Sequence, residues 1–253
     1  MKITVCGKGG CGKSTVTTLL AKELARMGKK VLVVDSDESN FGLHRQLGVE
    51  LPRDFTEYFG GKDKAFKTMM TSGILDAMKL SAFARKFFSE DFTMADIPEE
   101  YYSEKDGVKL MSSGKIHKAN EGCACTMNSI LEQFVAHLTL AEDEIALLDM
   151  EAGVEHFGRG TDNSVDGILM IVDPSFESLR LSAKIADLST SIGKPIWFCL
   201  NKLTEETAQT MEEEVGIIGR MPLNHDLGLA GLTGTELQMT IAPVREMAQF
   251  LIH

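Results

Sequence analysis

A chain of 253 residues, 43% hydrophobic and 25% charged, has the composition of an ordinary globular protein and enough length for one sizeable core. Its formal net charge of −11 weighs against nonspecific binding to nucleic acid or to an anionic membrane surface. No apolar run approaches the roughly 18 residues of a membrane span, and the first residues lead straight into a strand with no room for a cleaved leader, so a cytoplasmic location is expected.

Ile3 and Val5 alternate with Thr4 and Cys6 as a short strand. Gly7-Lys8-Gly9-Gly10-Cys11-Gly12-Lys13-Ser14-Thr15 follows and opens a helix running to about Met27. This is G-x-x-x-x-G-K-[ST] in its strand–loop–helix setting. Glycines allow the tight path that turns several N–H groups inward, and the positive end of the following helix adds to them. The expected ligand is ATP or ADP with Mg²⁺, held by Gly7, Gly9, Gly10, Cys11, Gly12, Lys13, Ser14 and Thr15. Lys13 is expected at the β/γ-phosphates and the Ser14 hydroxyl at the metal. Cys11 contributes its backbone rather than its thiol.

Lys8, directly after the first glycine, makes the loop resemble the deviant P-loop of the MinD/ParA/nitrogenase-iron-protein class. The resemblance implies a homodimer in which Lys8 of each subunit reaches the partner's nucleotide. There it would neutralise charge on the transferred phosphoryl group.

Lys30–Asp35 reads as an apolar strand of the kind covered on both faces, and it ends in Asp35-Ser36-Asp37. Carboxylates at that end lie on the ligand side of an open α/β sheet. By resemblance this is a first switch, with Asp37 orienting the attacking water near Mg²⁺. Residues 50–106 carry no clear strand and read as helices and loops inserted into the core fold. Met69-Met70 and Phe83, Phe87 and Phe88 read as local packing.

Gly107–Ser112 reads as a strand, and a polar loop leads from it to Cys123-Ala124-Cys125. Met127, Ile130, Leu131, Phe134, Val135 and Leu138 then trace one face of an amphipathic helix. Ile145–Asp149 is a Walker B strand whose Asp149 is expected to hold Mg²⁺, directly or through water. The glycine-containing stretch Glu151–Gly160 suits a second switch. Strands follow at Ile168–Asp173, Ile196–Leu200 and Ile217–Met221, with a helix ending near Gly193 after the first of them. By resemblance Asn201, Lys202 and Pro222 contact the base. The final stretch, Val244–His253, lacks a lysine-rich face and reads as core packing rather than a membrane anchor. Alternating strands and helices imply one α/β domain over 1–253, a doubly wound and mainly parallel sheet with a helical insertion at about 50–106.

Cys6 and Cys199 lie in apolar strands and read as small hydrophobes. Cys123 and Cys125 differ, because thiols just before a helix N-terminus are acidified. A disulfide across an extended i to i+2 span of roughly 6.6 Å would be strained. Two thiolates alone make an incomplete soft-metal site, but a two-fold axis beside them supplies four, suited to Ni²⁺ or Zn²⁺ at a dimer interface.

The deviant P-loop, Asp-x-Asp, Gly-Cys-x-Cys before a helix and the stretch from Asp149 to Gly160 together resemble CooC-type ATPases and the related AcsF. That resemblance implies ATP hydrolysis coupled to nickel delivery, with carbon monoxide dehydrogenase or acetyl-CoA synthase as client. The alternative is a reductase like the nitrogenase iron protein with an intersubunit [4Fe–4S] cluster. That class takes one ligand near the second switch, and no cysteine lies in Glu151–Gly160. Spatial-organising ATPases share the P-loop but fit neither the charge nor the C-x-C.

Overall fold

The computed structural model describes residues 1–37, 40–61, 87–88, 91–115, 124–150, 164–211 and 216–253, with the backbone alone over 124–129. Its strands are β1 (Lys2–Gly7), β2 (Lys30–Asp35), β3 (Tyr102–Lys105), β4 (Val108–Ser112), β5 (Glu144–Asp149), β6 (Gly167–Val172), β7 (Ile196–Leu203) and β8 (Ile217–Pro222). They form one sheet in the order β3-β4-β2-β5-β1-β6-β7-β8, parallel except for the β3/β4 pair. The expected doubly wound α/β fold is the fold observed.

Alternate residues along each central strand enter different cores, which is why the strands read as unbroken apolar runs. Ile3, Val5, Val31, Val33, Leu147 and Ile171 pack on one face with α1 (Lys13–Arg26) and α7 (Ala242–Ile252). On the other face Leu32, Val34, Ala146 and Leu148 meet α3 (Ala124–His137), while Cys6, Ile168 and Met170 meet α4 (Phe176–Ser191). Val244, Met247, Ala248 and Leu251 are the buried face of α7, so the C-terminal stretch packs on the core as expected. Shorter helices α2 (Leu43–Leu47), α5 (Glu205–Thr210) and α6 (His225–Thr233) lie in the loops beyond β2, β7 and β8. Thr204 and Asn224 cap α5 and α6, and Ser175 caps α4, each accepting an N–H that the first turn leaves over.

Two expectations need correction. The stretch 50–106 is not free of strand, because β3 pairs antiparallel with β4 through a turn at Asp106 and Gly107, both with positive φ (51° and 80°). An Asp-Gly pair at this position is a strong hairpin signal. It was masked by the charged, half-exposed Tyr-Ser-Glu-Lys, which suits an edge strand. Secondly, Cys125 lies within α3, which is described from Ala124 onward, rather than before the helix. Within the inserted stretch, Phe55, Phe59, Phe88, Phe92 and Tyr101 do pack locally, together with Phe134 of α3. Met69, Met70 and Phe83 lie outside the described residues.

Glu236, in the loop between α6 and α7, ties the domain's edge together. It accepts from Lys105 of β3 at 2.8 Å and from Lys22 of α1 at 2.8 Å, and these bonds pull its carboxyl down to about 2. A depressed carboxylate stabilises the fold above its ordinary pKa, and the effect fades as pH falls through the folded value. Glu236→Gln is expected to lower the melting temperature at pH 7 by roughly 2–4 °C. Scans at decreasing pH are expected to show the gap closing between about 4.5 and about 2.

Candidate functional site

The carboxyl ends of β1, β2, β7 and β8 open onto one cleft of roughly 660 Å³. Ligands bind at this end of open parallel sheets, because the chain divides there to opposite faces. Gly9, Gly10, Gly12, Lys13, Ser14 and Thr15 form one wall, and Asp37, Asn201, Lys202 and Pro222 stand around the rest. Gly7 and the Cys11 side chain are not part of its lining. A Cβ on Gly7, at φ 146°, would sit 2.5 Å from the Ile171 carbonyl, so this glycine serves the close passage of β1 past β6. The Cys11 side chain is buried in the core, and burial pushes its thiol up to about 11, as it pushes Cys199 to about 12.

No side chain caps the start of α1, and its first turn carries no acidic residue. Its leading N–H groups are thereby left to a ligand at the positive end of the helix. Gly12 precedes them with φ 101°, its backbone close under the Asn201 amide, which donates to the Cys11 carbonyl at 2.8 Å. Lys202, itself at φ 60°, donates to the Gly10 carbonyl at 2.6 Å. Two of the loop's carbonyls are thus bound by the end of β7. Lys13 donates to the Lys8 carbonyl at 3.3 Å.

Ser14 sits at the floor, donating from Oγ to Asp149 Oδ2 at 2.6 Å and accepting from Asn40 Nδ2 at 2.7 Å. Thr17 reaches the other Asp149 oxygen at 3.4 Å. Asp149 is buried, and desolvation raises its carboxyl to about 6 against the pull of the Ser14 bond and Lys13. Its register partner across β2/β5 is Asp35. Burial raises Asp35 to about 7, although the Lys115 ammonium lies 2.6 Å away. Two buried carboxylates thus meet on adjacent strand ends, and Asp149, bonded to the cleft-lining Ser14, is a hard oxygen donor of the kind that suits Mg²⁺.

The Lys8 ammonium reaches the start of α4, 2.9 Å from Glu177 and 3.3 Å from the Ser175 hydroxyl. Cys123 lies outside the described residues, and of Cys125 the backbone alone is described. Among the described residues no group of three or more His, Cys, Asp and Glu side chains could hold a metal ion. Nor is any described helix long and apolar enough to cross a membrane. Asn40 lines the cleft, and Lys115 is bonded to Asp35 and to the Asp37 carbonyl; neither carries a motif that could have singled it out.

Residues 2–237 match the CobQ/CobB/MinD/ParA nucleotide binding domain. The chain belongs to this family. Within the CobQ/CobB/MinD/ParA family it is 42% identical to an uncharacterized ATP-binding protein of Methanocaldococcus jannaschii, over 99% of each chain. It is 29% identical to the carbon monoxide dehydrogenase accessory protein CooC of Rhodospirillum rubrum, over 100% of this chain and 95% of that one. The septum site-determining protein MinD of Pyrococcus horikoshii, in complex with Mg-ADP, shares the fold. Its TM-score is 0.66 at 17% identity, over 99% of this chain and 95% of that chain.

A CobQ/CobB/MinD/ParA nucleotide-binding loop with this geometry tolerates no side chain at Gly12. The Cβ of Gly12→Ala would lie 2.4 Å from Asn201 Nδ2 on a left-handed backbone. Calorimetric titration with ADP is expected to show affinity about fivefold to a hundredfold lower, from strain of about 1–3 kcal/mol.

Proposed function

We propose that this chain is an ATP-hydrolysing metallochaperone that dimerises with nucleotide and passes nickel to carbon monoxide dehydrogenase or acetyl-CoA synthase. The observation that carries the reading is similarity to CooC along the whole chain, in a protein with a C-x-C at Cys123 and Cys125. Support for the hydrolytic half comes from the uncapped start of α1 and Ser14 at one cleft, with Asp149 bonded to Ser14.

ATP would lie along the P-loop, its phosphates on the N–H groups of Gly9, Gly10, Gly12, Lys13 and Ser14, with the Lys13 ammonium turning to the β/γ-oxygens. Asn201, Lys202 and Pro222 would meet the base. Ser14 and Asp149 fit Mg²⁺ as hydroxyl and carboxylate donors, with Asp37 acting through water, and the metal supplies neutralisation of phosphate charge when bound. Asp37 would orient the attacking water at the mouth of β2. Lys8 would leave Glu177 for the partner's nucleotide. Glu177 is 77% exposed, and an exposed pair of this kind costs little to break. Loss of the γ-phosphate would then release the contacts that hold the two subunits, and with them the four thiolates of the two Cys123/Cys125 pairs.

Two experiments test the reading. Titration of Ni²⁺ into the ATP-loaded protein is expected to give about one metal per dimer, lost in Cys123→Ser and in Cys125→Ser. Tight binding indifferent to those changes, or an iron–sulfur absorption and EPR signal in anaerobically purified protein, would sink the nickel reading. For the dimer, Lys8→Ala is expected to keep ATP binding and to lose both ATP-dependent dimerisation in light scattering and at least about tenfold in phosphate release.

A further inference from the structure

Lys115, three residues beyond β4, has a fully buried side chain. A lysine ammonium away from water must be matched by acceptors of its own. Lys115 donates to Asp35 Oδ2 at 2.6 Å and to the main-chain carbonyl of Asp37 at 2.6 Å. Its backbone is held as firmly. Lys115 N–H donates to Asp54 Oδ2 at 3.1 Å, Ser113 N–H to the Asp35 carbonyl at 2.9 Å, and Thr56 N–H to the Ser113 carbonyl at 3.3 Å.

The bond to Asp37 is what a purely structural ion pair would not need. The same carbonyl accepts from Asn40 N–H at 3.1 Å, and the Asn40 amide continues to Ser14, which holds Asp149. A bonded path therefore runs from Lys115 through Asp37 and Asn40 to the floor of the cleft. As a contribution to stability alone, a buried pair is matched by apolar residues of the same volume, so stability does not explain a lysine here. We propose that Lys115 is a positioning residue for ATP hydrolysis: its ammonium fixes the peptide of Asp37 and so aims the Asp37 carboxylate. The switch would thereby be braced by the same segment that leads on to Cys123 and Cys125.

The inference rests on the hydrolytic reading above and is tested by phosphate release and stability together. Lys115→Met alone leaves Asp35 buried and unpaired, so a lower melting temperature is expected. The charge-neutral pairs Asp35→Asn/Lys115→Met and Asp35→Asn/Lys115→Gln are expected to recover it. Only glutamine keeps a donor for the Asp37 carbonyl. The methionine double variant is expected to lose about tenfold or more in kcat with KM for ATP within about twofold, and the glutamine double variant to regain most of that loss. Equal turnover in the two double variants, or a loss confined to KM, overturns the role of Lys115. Wild-type protein that releases no phosphate overturns the hydrolytic reading and the inference with it.

Discussion

The hydrogen bond from Ser14 to Asp149 joins the first turn of the chain's first helix to the end of a strand 135 residues later. Everything at the cleft depends on that closure. It needs β5 beside β1 in one register, Val5 opposite Asp149, so that the carboxylate emerges level with the end of the glycine loop. A slip of one residue would turn Asp149 to the other face and put an apolar side chain in its place. Register is specified because both faces of these strands are buried and alternate residues belong to different cores. The site is therefore as stable as the core beneath it.

Charge at the floor is organised around an unfavourable placement. Asp35 and Asp149 are neighbours on adjacent strands, both buried, and each is raised well above the usual carboxylate range by loss of water. Two such groups repel each other unless cations stand nearby. Lys115 answers Asp35 from within the fold, whereas Asp149 is met by hydroxyls and by Lys13 at greater remove. This asymmetry leaves the Asp149 side as the place where a bound cation gains most, next to the loop whose N–H groups favour phosphate.

The loop itself is held from outside. Asn201 and Lys202 bind the carbonyls of Cys11 and Gly10, and the Cys11 N–H closes the turn on the Lys8 carbonyl at 3.2 Å, so these peptides are fixed within the protein. Positive φ at Gly10, Gly12 and Lys202 serves that arrangement. Asn201 and Lys202 accordingly have a structural function in the loop as well as a place in the cleft wall.

The amino-acid sequence by itself determined the central strands, the long helices, the anion-binding turn and the Walker B carboxylate. Those signals are local: a glycine pattern between a strand and a helix, an apolar run of strand length, an acidic residue at its end. It also displayed the Cys123/Cys125 pair, whose spacing on the chain is a fact of the covalent order. It took the tertiary structure to show that β3 closes the sheet as a charged edge, that the Cys11 side chain is buried in the core, that Asn40 lines the cleft and that Lys115 is bonded to Asp35 and to the Asp37 carbonyl. A buried lysine and an exposed one look alike in one dimension. What tells Lys115 from its fellows is the pair of acceptors brought to it by β2, and that meeting spans 80 residues of chain. Motifs record contacts between near neighbours, whereas pairings of this kind exist only once the sheet has set its register.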